Sequence, residues 1–150
     1  MTEKTSFKIS KNEIVRGYKS FENILIHSKL FKTELLTGHL RTNKLSLKNS
    51  PLKMNTVKVG FMISKKKIRK SNNRIKIKRL IREAYRLNRH NYLDGYNNVD
   101  VQLLIGINQN SDYVSPEFSK SLNYELVKKE TVNLLSEISD YLTKQEMVRI

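Results

Sequence analysis

Ile63 to His90, ISKKKIRKSNNRIKIKRLIREAYRLNRH, is the stretch on which the reading of this chain turns. It opens with a cationic cluster, Lys65, Lys66, Lys67, Arg69 and Lys70, and Ser71 to Asn73 then reads as a turn. A helical pattern starts at Arg74. Wound at about 100° per residue from Arg74, the cations Arg74, Lys78, Arg89, Arg82, Arg86 and Arg79 fall between roughly 0 and 140°. Leu87, Leu80, Ala84, Ile77 and Ile81 fall between roughly 220 and 340°. The two arcs do not interleave, so the spacing predicts an amphipathic helix with one face on a core and six cations on the other.

A row of like charges on one helix face repels itself, by a few tenths of a kcal/mol for each i,i+4 pair. Acidic neighbours normally relieve this, yet the only acid between Ile63 and His90 is Glu83. The relief must come from outside, and a phosphate backbone is the commonest external polyanion. A solvated surface of good helix formers is the bland alternative. It fits less well, because solvated helices usually mix both signs.

Outward from this stretch, Thr56 to Ile63 (TVKVGFMI) alternates as a strand, with Val57, Val59, Phe61 and Ile63 on one face. Val99 to Ile107 (VDVQLLIGI) is the most apolar strand and is expected at the centre of a sheet. Strand, basic helix and strand make a crossover unit that packs helices on a sheet. Upstream, Ser20 to Ser28 reads as a short helix capped by Ser20, with Phe21, Ile24 and Leu25 on one face. Phe31 to Leu40 reads as one strand, and Lys44 to Lys48 and Ser6 to Ser10 are candidate extra pairing segments. Downstream, Ser115-Pro116-Glu117 is a helix start, and the helix is expected to run to about Lys144 on a stripe of Phe118, Leu122, Val127, Leu134, Leu135, Ile138 and Leu142. The expectation is an α+β fold: a two-layer α/β sandwich on a mixed sheet of about four strands, one domain over residues 1–150, with 1–12 loosely ordered.

The charge is divided as well as large. Net charge is +15 with a pI near 10.0, but residues 1–90 carry 24 Lys+Arg against 5 Asp+Glu, whereas residues 91–150 carry 5 against 9. That asymmetry is the footprint of a nucleic-acid binder. With no cysteine, disulfide scaffolds, thiolate zinc sites and thiol catalysis are excluded. No apolar run reaches the ~20 residues of a membrane span. No apolar signal core opens the chain, which reads as cytoplasmic, with neither a membrane nor a small-molecule substrate as partner.

A catalytic apparatus is hard to find. His27, His39 and His90 are far apart, the acids of the basic half stand singly, and Gly17, Gly38, Gly60, Gly95 and Gly106 form no phosphate loop. Glu83 reads as an ion-pair partner for Lys78, Arg79 or Arg86. No catalytic residue and no metal ligand is assigned to this chain, and the residues alone define an RNA- or DNA-binding α/β domain. A structural RNA-binding protein and a metal-dependent nuclease acting alone both stay open at that point.

Gly60, Ile63, Ser64, Lys65 and Lys66, followed by Arg74, Lys78, Arg79, Arg82, Glu83 and Tyr85, resemble the signature of the bacterial ribonuclease P protein subunit family. That family shows a strand ending in Gly-x-x-[VI]-[SA]-K-K and then R-N-R-x-K-R-x-x-R-[EQ]-x-[FY]. The likeness extends over roughly residues 12–142. Ile75 and Lys76 stand where the family has Asn and its second Arg, and Leu25 stands where some relatives carry a second aromatic. The resemblance implies the protein cofactor of a ribozyme that removes the 5′ leader of precursor tRNA, with magnesium held mainly by the RNA subunit. It implies RNA contacts at Lys65, Lys66, Lys67, Arg69, Lys70, Arg74, Lys76, Lys78, Arg79, Arg82, Arg86 and Arg89. It also implies a leader cleft between the first helix and the sheet at Phe21, Leu25 and Phe61, and a left-handed crossover, against the usual rule.

Overall fold

The computed structural model describes residues 9–44, 57–64, 68, 70–93, 99–108 and 123–146. A 3-10 turn at Lys11–Glu13 leads to α1 (Tyr18–Ile26), then to strands β1 (Lys29–Lys32), β2 (Leu36–Lys44) and β3 (Val57–Met62). The basic helix α2 (Ser71–Asn88) ends in a 3-10 turn (Arg89–Asn91), and β4 (Val99–Ile107) and α3 (Tyr124–Glu146) follow. The sheet order is β1-β2-β4-β3. β4 runs antiparallel to β2 and parallel to β3, so the sheet is mixed and β4, the most apolar strand, is an inner one.

Strand alternation sends the two faces of β4 to different partners. Val101, Leu103, Ile105 and Ile107 join the main core with Ile77, Ile81, Ala84 and Tyr85 of α2 and Val127, Leu134, Leu135, Ile138 and Leu142 of α3. Leu104 points the other way and packs with Val15, Ile24 and Phe21. The two long helices therefore form the second layer on one face, and short α1 covers part of the opposite face. Close approach sets part of this packing: a Cβ at Gly38 would lie 3.0 Å from Leu134 Cδ1, so α3 sits directly on β2. Among the described residues no helix is long and apolar enough to cross a membrane.

Several local expectations change. Phe31 to Leu40 is two strands joined by a tight turn, in which the Thr33 N–H donates to Leu36 O at 2.8 Å and the Leu36 N–H to Thr33 Oγ1 at 2.9 Å. No glycine or proline marks it. The turn is held from far away: Leu35 N–H donates to the buried Glu130 Oε1 of α3 at 2.7 Å, and Asn108 Nδ2 donates to Thr33 O at 2.8 Å. α1 starts at Tyr18, after Gly17 at φ 90°, instead of at a Ser20 cap. Glycine adopts that φ at little steric cost. It is needed because the chain turns abruptly there, from pairing with β3 (Val15 N–H to Val59 O, 2.8 Å) into the helix. Ser71 to Asn73 is the first turn of α2, not a loop before it. α3 begins at Tyr124, where Asn123 Oδ1 caps the Leu126 N–H at 2.9 Å. The Ser115-Pro116-Glu117 start, Phe118, Leu122 and the pairing segments at Ser6 to Ser10 and Lys44 to Lys48 lie wholly or mostly outside the described residues.

Candidate nucleic-acid interface

The position of α2 follows from its largest buried side chain. Tyr85 is fully buried and meets Phe61 of β3 edge-on, ring centroids 6.0 Å apart. The buried arc therefore runs from Ala84 through Ile77 and Ile81 to Tyr85, roughly 280 to 20° on the wheel set from Arg74. It is turned by about half a right angle from the arc expected from the aliphatic residues alone. Leu87, expected in the core, is 39% exposed.

This rotation redistributes the cations. Lys76, Lys78, Arg79 and Arg82 are exposed, and Lys70 is exposed just before the helix. Arg86 is half-buried and bonds Glu83 Oε2 through Nη2 at 2.6 Å and Nε at 3.1 Å, so Glu83 is an ion-pair partner. Arg74 is also half-buried, and its Nη1 donates to Ile68 O at 2.8 Å. Arg89 is a correction: it is 5% exposed and ion-paired with Glu13, off the open face. The wheel placed it among the cations, but the straight helix has ended by then, and the 3-10 turn swings its side chain under the N-terminal segment. Burial works against charge on Glu13, but the Ser10 N–H and hydroxyl and the Arg89 guanidinium outweigh it and hold the carboxyl below its usual range. Lys65, Lys66, Lys67 and Arg69 lie outside the described residues.

Phe21 lies at the lip of the sheet face. A Cβ at Gly60 would come within 2.9 Å of its ring and 2.7 Å of Leu104 Cδ2, so the missing side chain at Gly60 is the seat of the aromatic. Leu25 is 39% exposed on the same helix. Phe61 points to the opposite face, toward Tyr85, and so does not stand with Leu25 above the sheet. It does share a depression of about 410 Å³ with Phe21, one that wraps the outer edge of β3 and also takes in Ile75, Lys78, Arg79 and Arg82.

The sheet face beyond α1 holds a second depression, of about 460 Å³, at Leu30, Thr37, His39, Met62 and Gly106. Burial lowers the pKa of His39, and its Nδ1 lies 3.4 Å from Ser28 Oγ. The sequence reading missed these residues. The available signal was the pair of small residues Thr37 and Gly106, which the β2–β4 register sets opposite each other and which keeps this face low. Among the described residues no group of three or more His, Asp or Glu side chains could hold a metal ion.

A mixed four-stranded sheet, one helix with a cation-rich open face and an incompletely covered opposite sheet face define a small α+β domain with two adjoining concave surfaces. The chain belongs to the ribonuclease P family: the model of that family, described as Ribonuclease P, matches residues 9–138. It is 39% identical over 57 residues to a ribonuclease P protein component from Pseudoalteromonas translucida, a match spanning 37% of this chain and 38% of that relative. The fold is similar to that of the RNase P protein from Thermotoga maritima (TM-score 0.61, 22% identity, 83% of this chain and 96% of that one). It is likewise similar to the Staphylococcus aureus RNase P protein (TM-score 0.57, 13% identity, 84% and 94%).

Proposed function

We propose that this chain is the protein subunit of ribonuclease P, binding the catalytic RNA and the 5′ leader of precursor tRNA. The observation that carries the reading is the cluster of exposed cations Lys70, Lys76, Lys78, Arg79 and Arg82, on and just before the helix that adjoins Phe21 across β3. The cations meet the phosphates of the RNA subunit. The half-covered sheet face beside α1 receives the single-stranded leader, with Phe21 and Leu25 at its margin. The chemistry and its magnesium ions belong to the RNA, in the cytoplasm.

Physically, the protein's contribution is electrostatic and positional. Two RNAs brought together repel, and cations that neutralise phosphates release bound counterions and lower the magnesium needed. Phosphate contacts position without specifying sequence, which suits a factor serving many precursor tRNAs.

The test is restoration of precursor-tRNA cleavage by a bacterial ribonuclease P RNA at low magnesium. The purified protein is expected to restore it. Tight RNA binding without stimulation would instead favour a structural RNA-binding protein. Cleavage by the protein and magnesium alone, surviving removal of any RNA from the preparation, would favour a nuclease.

A further inference from the structure

We infer that the depression at the outer edge of β3 seats one unpaired nucleotide of the catalytic RNA, with Ile75 as its apolar wall. The inference rests on the function proposed above and assigns a residue whose type departs from the family pattern.

Ile75 is the most exposed large apolar side chain of α2, at 55%. Taken singly, an exposed isoleucine needs no explanation. Its neighbours give it one. Ile75, Lys78, Arg79 and Arg82 stand at i, i+3, i+4 and i+7, so the isoleucine heads a stripe of three cations on one helix face. All four line the same depression of about 410 Å³, and Phe21 and Phe61 supply its aromatic surface. Among the described residues no acidic side chain lines it. Phe21 is fixed there by its seat against Gly60, and Phe61 by its edge-on contact with Tyr85, so the aromatic surfaces are ordered before any ligand arrives.

Apolar and aromatic walls under a rim of three cations match one kind of ligand on this surface: a flat base whose flanking phosphates are anionic. A base in a duplex is already stacked and turned inward, so the nucleotide must be unpaired. All three cations come from α2, the helix assigned to the catalytic RNA, and this selects that RNA over the leader as the source. The leader is the outcome that would overturn the assignment.

The experiment titrates the full chain with a bacterial ribonuclease P RNA, without precursor tRNA, at several salt concentrations. Ile75→Ala and Ile75→Asn are expected to weaken binding about fivefold, because they remove the aliphatic wall that the base would bury while leaving the aromatic surfaces in place. The salt slope should stay unchanged, because an apolar contact releases no counterions. Arg79→Ala should instead lower the slope by about one. A second arm measures precursor binding by the holoenzyme as the leader is shortened. If the Ile75 variants alter only that leader dependence, the nucleotide belongs to the precursor and the inference falls. It falls equally if binding to the RNA is unchanged, or if the slope shifts with it. Failure of the wild-type chain to bind the RNA overturns both readings, whereas normal wild-type binding with no effect at Ile75 overturns this one alone.

Discussion

α2 and α3 lie side by side on one face of the same sheet, and both bury an apolar stripe in the same core. Their outer faces differ. Over Ser71–Asn88, α2 carries six Lys or Arg and one Glu; over Tyr124–Glu146, α3 carries three Lys and five Asp or Glu. Two helices doing the same packing with opposite charge balance show that this packing does not depend on a cation-rich outer face. Each helix region also spends one buried charge on tying down distant chain. Glu130 of α3 holds the β1–β2 turn through the Leu35 N–H, and Arg89, just after α2, holds the segment that borders β3 through Glu13. The contrast separates charge that organises the protein from charge that awaits a partner.

The largest effects should be blind to it. Ile81→Ala in α2 and Leu134→Ala in α3 both empty fully buried positions, and each should cost about 3 kcal/mol in denaturant unfolding. Similar losses support a shared packing role. A loss confined to one helix would mean that the other is stabilised by something outside the common core. Next in size is the ion pair. Glu13→Gln leaves Arg89 buried without its anionic partner and should cost about 2 kcal/mol at neutral pH. The pH dependence has a definite sign. The folded pKa of Glu13 is depressed, so its contribution is fully present above the unfolded value of about 4.3 and is lost as pH falls through the folded value. Stability curves of wild type and Glu13→Gln should therefore converge below about pH 4. Parallel curves down to acid unfolding would remove the ion pair from the account.

Much of this architecture was legible from local pattern. Val99–Ile107 is the strand its apolar run announces, and Val127, Leu134, Leu135, Ile138 and Leu142 are all buried as their spacing requires. What escaped was set by tertiary partners. The turn at Thr33 to Leu35 has no turn-forming residue of its own and is stabilised by Glu130, 95 positions from Leu35. The roll of α2 is set by one tyrosine against Phe61, which outweighs Leu80 and Leu87 in a count of aliphatic residues. Of the site, Lys76 lies outside the basic arc and is reached only through the family resemblance, whereas the exposed Lys78, Arg79 and Arg82 follow from charge segregation. The burial of Arg89 does not, because it depends on where the helix stops and on a glutamate 76 residues earlier.

Smaller effects test the outer faces directly. Arg82→Ala should leave stability within about 0.5 kcal/mol of wild type, since the side chain is exposed. It should weaken RNA binding uniformly across leader sequences and lower the salt slope by about one. The same substitution at the exposed Lys128 of α3 should change neither. Equal effects at the two positions would erase the distinction between the helices.

Glu83→Gln is the finest probe, because Glu83 is the only acid of α2. Its pair with Arg86 is half-exposed, so its loss should cost no more than about 0.5 kcal/mol. Binding should move the other way: freed from its carboxylate, Arg86 becomes available to phosphate, and affinity should rise about threefold with a steeper salt dependence. An internal control comes with the substitution. Burial first, then the charges of Glu83 and Glu125, raise the pKa of the Tyr124 hydroxyl. Neutralising Glu83 removes one of those influences, so Tyr124 should titrate at lower pH, observable by NMR. If Tyr124 moves and RNA affinity does not, the carboxylate has been neutralised as intended, and Arg86 contributes to the protein alone. If both move, Glu83 restrains a cation that the RNA would otherwise use, and α2 becomes more unlike α3 by the loss of a single charge.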